Sequence, residues 1–322
     1  MIRPLVPLLA GLCSLAVAAL AAPPKAAWPE TDFSRHSVPL EEIGSGGVPR
    51  DGIPAIVDPR MIAVDTATGL HPREPVMTLE LEGAAARAYP VRYLLWHEIV
   101  NDRIGDRPIA VTFCPLCNSG LIFEREAAGR ELQFGVSGLL RFSDLVMYDR
   151  QTHSFWQQLS GEAIVGTLTG ANLPVLASWM EPWAAFAERN PDGLVMAEPQ
   201  GRRRAYGTNP YAGYDTSARP FLYQGEDPPH GIAPLARVVR VGGRAWPLER
   251  LAEAGVLEEA GLRLTWSPGM ASALDARDIA AGRDVGAIRV QDATTGQDVV
   301  HEVVFAFAFH AFHPDGAWMV GR

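Results

Sequence analysis

Residues 87–91 read Arg-Ala-Tyr-Pro-Val, and residues 244–248 read Arg-Ala-Trp-Pro-Leu, 157 positions later in the chain. Self-similarity at a fixed offset is typical of a duplicated structural unit. An apolar run, an Ala-aromatic-Pro segment and a short helical pattern follow one another in both places. The two segments therefore predict two related β-rich units.

Two further pairs of segments support the duplication. Val-Thr-Phe-Cys-Pro at 111–115 matches Leu-Thr-Trp-Ser-Pro at 264–268, with an offset of 153 residues. Ser-Gly-Leu at 119–121 matches Ser-Ala-Leu at 272–274 with the same offset. Each copy is thus expected to continue through a second strand into a Pro-containing loop, with four fewer residues in the later copy.

The composition agrees with a fold of short strands. The chain has 322 residues, of which 31 are Gly and 26 are Pro, and this excess favours turns over long helices. With 48% hydrophobic residues and a net charge of -9, disorder, a polytopic membrane protein and a nucleic-acid partner are all disfavoured. We expect a mainly β fold, α+β with few short helices. A protein or small-molecule partner stays open.

The chain divides into five segments on these patterns. Residues 1–21 resemble a signal peptide, because Arg3 precedes an apolar run that ends in a small-x-small motif at 19–21. We expect a periplasmic or secreted protein with no membrane span after cleavage. The remaining segments are an extended lead-in at 22–52, the first β-rich unit at 53–195, a connecting loop region at 196–234 and the second β-rich unit at 235–322.

Cys114-Pro115-Leu116-Cys117 is the main candidate site, because Cys13 would leave with the signal peptide. Under the alignment of the two copies, Ser267 replaces Cys114 and Met270 replaces Cys117, so the thiols belong to the first unit alone. A disulfide closing so short a loop would stabilise the fold by only about 2 kcal/mol. This small gain favours a chemical role for the two cysteines over a role in stabilising the fold.

Three interpretations of this cysteine pair stay open. Two thiolates on a tight turn can share a soft metal ion, copper or zinc, if other side chains complete the site. The pair can instead cycle between dithiol and disulfide, although an apolar strand-like run follows it rather than the helix that lowers thiol pKa values. It can also be a local disulfide in a non-catalytic binding module.

Further ligands would have to come from His97, Glu98, His310, His313 or a Met, if the site has any. We prefer His97 as the third ligand, since the predicted helix before the cysteine strand could bring it alongside. His97-Glu98 does not form a zinc-protease motif, because position 101 is Asn. His310 and His313 are weaker candidates. They follow an alternation of Phe and Ala at 305–309 that predicts a strand.

The Gly-Val-Ser-Gly segment at 135–138 lacks the spacing of a serine-hydrolase nucleophile elbow. Its glycines instead predict a bulge or a close backbone approach.

Several longer motifs together resemble one family. They are His97–Asp102, Thr112–Cys117, Phe134–Gly138, Met147–Arg150 and Trp156–Gln158. In this order they are similar to the bacterial and archaeal domain family of unknown function numbered 3179, over about residues 50–320. The resemblance implies no established activity, so it leaves open whether the protein is an enzyme.

Overall fold

The computed structural model describes residue 23 and residues 25–201 and 204–321. The predicted signal peptide lies outside these residues. The described residues form a mainly β protein, as the sequence predicted, with 24 short strands and four α-helices of seven residues each. None of the described helices has the length and apolar character needed to cross a membrane.

The strands and helices are short throughout the described chain. The strands before residue 125 are β1 (Ile43–Ser45), β2 (Ile56–Val57), β3 (Met61–Ala63), β4 (Pro75–Leu79), β5 (Arg87–Pro90), β6 (Ile99–Ile104), β7 (Arg107–Cys114) and β8 (Ser119–Glu124). The next nine are β9 (Glu126–Ala127), β10 (Arg130–Glu131), β11 (Phe134–Arg141), β12 (Asp144–Asp149), β13 (Phe155–Gln157), β14 (Ala163–Val165), β15 (Val175–Leu176), β16 (Ser178–Pro182) and β17 (Leu194–Met196). The last seven are β18 (Arg237–Val241), β19 (Arg244–Pro247), β20 (Val256–Glu259), β21 (Leu262–Ser267), β22 (Ala287–Asp292), β23 (Glu302–Phe305) and β24 (Ala317–Trp318). The helices are α1 (Val91–His97), α2 (Trp183–Arg189), α3 (Leu248–Ala254) and α4 (Ala306–Phe312).

The strands form five sheets and one small hairpin, β9–β10. The three sheets built from earlier strands have the orders β1-β11-β12-β13-β14, β15-β8-β7-β6-β2 and β16-β4-β5-β17-β3. The two later sheets have the orders β23-β18-β19-β24 and β20-β21-β22. Between β17 and β18 the described chain contains one 3-10 turn, Tyr214–Thr216, and no strand of these sheets.

The later sheets repeat two of the earlier ones. In the first copy the antiparallel pair β4–β5 leads through α1 into three antiparallel strands, β6–β7–β8. The later copy follows the same path, with the pair β18–β19, helix α3 and the antiparallel strands β20–β21–β22. The closing elements also match, because β16, α2 and β17 correspond to β23, α4 and β24. Leu194 pairs in parallel with Arg87, and Ala317 pairs in parallel with Arg244 at the equivalent place. The repeated segment Arg-Ala-aromatic-Pro is the same strand, β5 or β19, in both copies.

The copies differ in one large insertion and in one detail of the alignment. Strands β9 to β15, residues 126–176, have no counterpart between β22 and β23. The shortest predicted match was misplaced: 119–121 begins β8, whereas 272–274 lies in a loop before β22. A loop of 19 residues, 268–286, separates β21 from β22, and three residues were too few to reveal it. The domain limits drawn from the sequence stay a prediction.

One predicted strand is a helix. Residues 306–309 belong to α4, and all four side chains are fully buried. The alternation of Phe and Ala therefore does not separate a buried face from an exposed one. Because both residue types are buried here, the alternating pattern does not indicate a strand. By contrast, α1 confirms the predicted helix that follows Pro90.

Trp28, Phe33 and Ile43, from the predicted lead-in segment, pack in a core cluster with residues of strands β12 and β13. The predicted bulge at 135–138 is confirmed, because the β11–β12 register shifts between Val136 and Leu139. Gly138 has φ +78°, and a Cβ there would lie 2.1 Å from the Val48 carbonyl oxygen. Only glycine fits this close approach.

Candidate metal centre

Cys114 and Cys117 lie on the tight turn between β7 and β8. Cys114 is the last residue of its strand and pairs with Ser119, the first residue of the next. The Cys117 amide donates to the Cys114 carbonyl at 3.3 Å, and Asn118 closes the turn with φ 53°. Both thiols are free and buried, so the turn presents two sulfurs to one interior point.

Strand β23 of the later copy fixes this turn from the other side. The Phe305 amide donates to the Cys117 carbonyl at 2.9 Å, and the Asn118 side-chain amide donates to the Val303 carbonyl at 2.8 Å. The Ser119 hydroxyl donates to Glu302 at 2.6 Å. The cysteine turn is therefore held by both repeats, and rigid support of this kind keeps ligand atoms in place.

The third member of the cluster is Asp144, which the sequence analysis did not identify. It follows the two-residue turn Phe142-Ser143 between β11 and β12, where φ is 50° and 65°. Such turns favour Asn-Gly, so this Phe-Ser turn is a costly one. It places a ligand atom of Asp144 and both sulfurs within 4.8 Å of one another. The Ser143 carbonyl oxygen lies 3.8 Å from the Cys114 sulfur and 3.5 Å from the Cys117 sulfur.

Hydrogen bonds orient the Asp144 carboxyl. Its Oδ2 accepts from the Gln157 side-chain amide at 2.6 Å and from the Leu159 backbone amide at 3.0 Å. Its Oδ1 is buried and has no nitrogen or oxygen donor among the described residues. Oδ2 therefore holds the carboxyl in place through its hydrogen bonds, while Oδ1 remains available as a ligand beside the thiols.

The cluster consists of acids without a basic partner. Burial raises the pKa of Asp144 to about 7 and raises the pKa of both thiols, most strongly that of Cys117. The charged groups that act on them are themselves acids, since Glu98 raises the pKa of Cys114 and Glu302 raises that of Asp144. Without a cation, the buried site therefore favours the protonated, neutral forms.

Glu98 lies close by in a strained backbone conformation. It ends α1 with φ 57° and ψ -32°, near the rare γ-turn region that side chains disfavour. Its amide donates to the Leu94 carbonyl, and its carbonyl accepts from the Phe113 amide at 2.8 Å. The equivalent residue after α3 is Gly255, with φ 68°, ψ -56° and the same two backbone bonds.

The Glu98 carboxyl faces a cavity of about 450 Å³ beside the cluster. Burial raises its pKa to about 8. Its side-chain hydrogen bond within the described residues is a long one, 3.5 Å from the Tyr211 hydroxyl. Leu116, from the cysteine turn, and Leu145, next to Asp144, line the same cavity. A small molecule in this cavity would therefore lie against residues that neighbour the cluster in the chain.

The structure does not bring His97 into the cluster. Its Nδ1 lies 2.7 Å from the Pro54 carbonyl oxygen, and its Nε2 lies 2.7 Å from the Tyr206 hydroxyl. The ring lines a separate cavity of about 320 Å³. Helix α1 does precede the cysteine strand, but the chain turns sharply at Glu98, and the His97 and Glu98 side chains face different cavities.

His310 and His313 also lie outside the cluster. His313 Nε2 lies 2.9 Å from an Arg240 guanidinium nitrogen. Burial, and then this arginine, lower the His313 pKa to about 4. Both histidines belong to α4 and the residue after it, so they serve the packing of the later copy.

The comparisons with known proteins agree with the sequence motifs. The model of a family described as a protein of unknown function (DUF3179) matches residues 50–316. The chain belongs to this family. The match spans both copies of the repeat and includes every residue of the cluster. The search of curated proteins and the search of solved structures gave no match.

Proposed function

We propose that Cys114, Cys117 and Asp144 bind one transition-metal ion, with zinc favoured over copper. The observation that carries the proposal is the arrangement of three acidic ligand atoms within 4.8 Å, all buried and with only acids as their charged neighbours. A cation at this point would compensate groups that are otherwise costly to bury.

The choice of metal follows from the donor atoms. Zinc accepts cysteine sulfur and carboxylate oxygen in one site, whereas copper(I) favours sulfur ligands alone. Three protein ligands leave a coordination position for water or a bound molecule, as in catalytic zinc sites. The proposal concerns binding, and no reaction is assigned.

Metal analysis of matched variants tests the proposal. The full chain is purified after expression with added zinc or copper, and the metal content is measured by mass spectrometry. We expect about one zinc ion per chain. Asp144→Asn and the double variant Cys114→Ser/Cys117→Ser should lose the metal, whereas His97→Gln should keep it. Zinc retained in Asp144→Asn would show that the third ligand is wrong, and zinc retained without both thiols would refute the site.

Two alternatives predict different results. A thiol-disulfide redox protein needs an accessible, activated thiolate, and burial with raised pKa values opposes this for both cysteines. A binding module with a local disulfide would carry no metal and would show no free thiols. Thiol titration of the unfolded protein, made beside the metal analysis, separates the three cases.

We further propose that the protein is exported to the periplasm or secreted. The charged start, the apolar run and the small-x-small motif in residues 1–21 support this. Mass spectrometry of the protein from its native host should find an N-terminus at Ala22 or nearby. An intact Met1 in the cytoplasm would refute the export.

A further inference from the structure

The cavity beside the cluster has an apolar wall and an apolar rim. Its wall is formed by Ile53, Leu116, Val136, Leu139, Leu140 and Leu145. At the rim, the apolar side chains of Val48 and Phe221 are 36% and 48% exposed. A volume of about 450 Å³ is in the range of sites for small organic molecules.

A few polar side chains interrupt this lining. The Tyr214 hydroxyl is already used, since it donates to the Leu116 carbonyl and accepts from the Phe221 amide. Among the described residues, the Glu98 carboxyl and the Tyr211 hydroxyl have hydrogen bonds only to each other, at 3.5 Å. No Arg, Lys or His is among the described residues that line the cavity.

The fold has no need of a glutamate at position 98. The later copy makes the same turn and the same two backbone bonds with Gly255, which avoids the strain. Residues held in disfavoured conformations cluster at functional sites because the side chain is required there. Glu98 is 7% exposed, its carboxyl makes one long hydrogen bond among the described residues, and it lines the cavity.

We propose that this cavity binds a small organic amine, with the amine nitrogen on Glu98 and Tyr211 and an apolar body against the leucine-rich wall. The Glu98 carboxyl has no basic partner among the lining residues, so a bound cationic amine would stabilise its ionised form, whereas a bound anion would oppose it. The proposal goes beyond the metal site and does not depend on it.

Three probes of similar size and different charge test the ligand class. Benzylamine, benzyl alcohol and benzoate are titrated calorimetrically into the full chain and into Cys114→Ser/Cys117→Ser. We expect benzylamine to bind about tenfold more tightly than benzyl alcohol, and benzoate not to bind. Binding of benzylamine should persist in the double variant, which distinguishes this site from coordination to a metal. Loss of binding there, equal or tighter binding of benzoate, or no binding of any probe would overturn the proposal.

Variants of Glu98 test the anchor. Glu98→Gln keeps the shape and should weaken benzylamine about tenfold while changing benzyl alcohol little. Glu98→Gly, which copies the later repeat and should fold as well, should give the same loss. The control is Glu198→Gln, because Glu198 is an exposed carboxyl that lines the neighbouring cavity. Unchanged benzylamine binding in Glu98→Gln, or an equal loss in Glu198→Gln, would show that Glu98 is not the anchor.

Discussion

The two copies of the repeat have the same backbone path and different chemistry. Strand β7 ends in Cys114 and the turn after it carries Cys117, whereas β21 ends in Ser267 and Met270 lies in the longer loop that follows. After α1 the first copy carries Glu98, where the later copy has Gly255. The equivalent positions show what the fold alone requires. The fold does not require the two cysteines or Glu98, and these residues lie close together in the first copy.

The largest predicted effect comes from moving the thiols to the later copy. In Cys114→Ser/Cys117→Ser/Ser267→Cys/Met270→Cys we expect zinc to fall from about one ion per chain to none. The third ligand, Asp144, belongs to the inserted strands 126–176, and the later copy has no counterpart of them. Metal content is measured directly. In protein loaded with cobalt(II) in place of zinc, the absorption spectrum shows whether thiolates bind the metal.

The control for this exchange is the variant with only the two new cysteines, which should keep its native zinc. Zinc at full occupancy in the fourfold variant would show that the turn alone makes the site and that the insertion is unnecessary.

This comparison also shows what the sequence could predict. The Ala-aromatic-Pro segments located strands β5 and β19, and their offset of 157 residues also aligns α1 with α3. These elements are local, so a few residues specify them. The two cysteines were found for the same reason, since one turn carries both.

The remaining site residues depend on tertiary structure. Asp144 lies 27 residues beyond Cys117, and only the fold of the insertion brings it back. Glu98 carried a usable signal, because the repeat aligns it with Gly255 and a glycine after a helix indicates positive φ. His97 was preferred because the helix before the cysteine strand could bring it alongside, whereas its ring contacts Pro54 and Tyr206, which the sequence does not reveal.

The next effect concerns the strained turn. Gly255→Glu should destabilise the protein by about 1–3 kcal/mol, because it places a side chain on a residue with positive φ, as at Glu98. A Cβ at 255 would meet nothing within 4 Å, so the cost is conformational and not steric. Urea unfolding measures the change. Ala254→Glu, on the exposed neighbour, is the control and should stay within about 0.5 kcal/mol. Equal losses in the two variants would remove backbone strain as the cause.

The reverse exchange should have a smaller effect of opposite sign. Glu98→Gly relieves the strain at φ 57° and removes a buried carboxyl, although glycine also costs entropy on folding. We expect a net stabilisation of about 1 kcal/mol in the metal-free protein, measured by the same unfolding experiment. A clear destabilisation would mean that Glu98 supports the fold, and its assignment to the cavity would then lose its main argument.

The smallest effect concerns the residue that follows the last helix of each copy, Asn190 after α2 and His313 after α4. Burial, and then Arg240, lower the His313 pKa from 6.5 to about 4, so the native state keeps the ring neutral. As the pH falls below 6.5, His313 is protonated in the unfolded chain but not in the native state. The free energy of unfolding therefore falls progressively towards pH 4. Because the ring is half-exposed, solvent screening should limit the loss to about 1 kcal/mol. His313→Asn makes the later copy resemble the first and should flatten the free energy of unfolding between pH 6.5 and 4 relative to the parent protein. Parallel curves for the two proteins would assign the acid sensitivity to other groups.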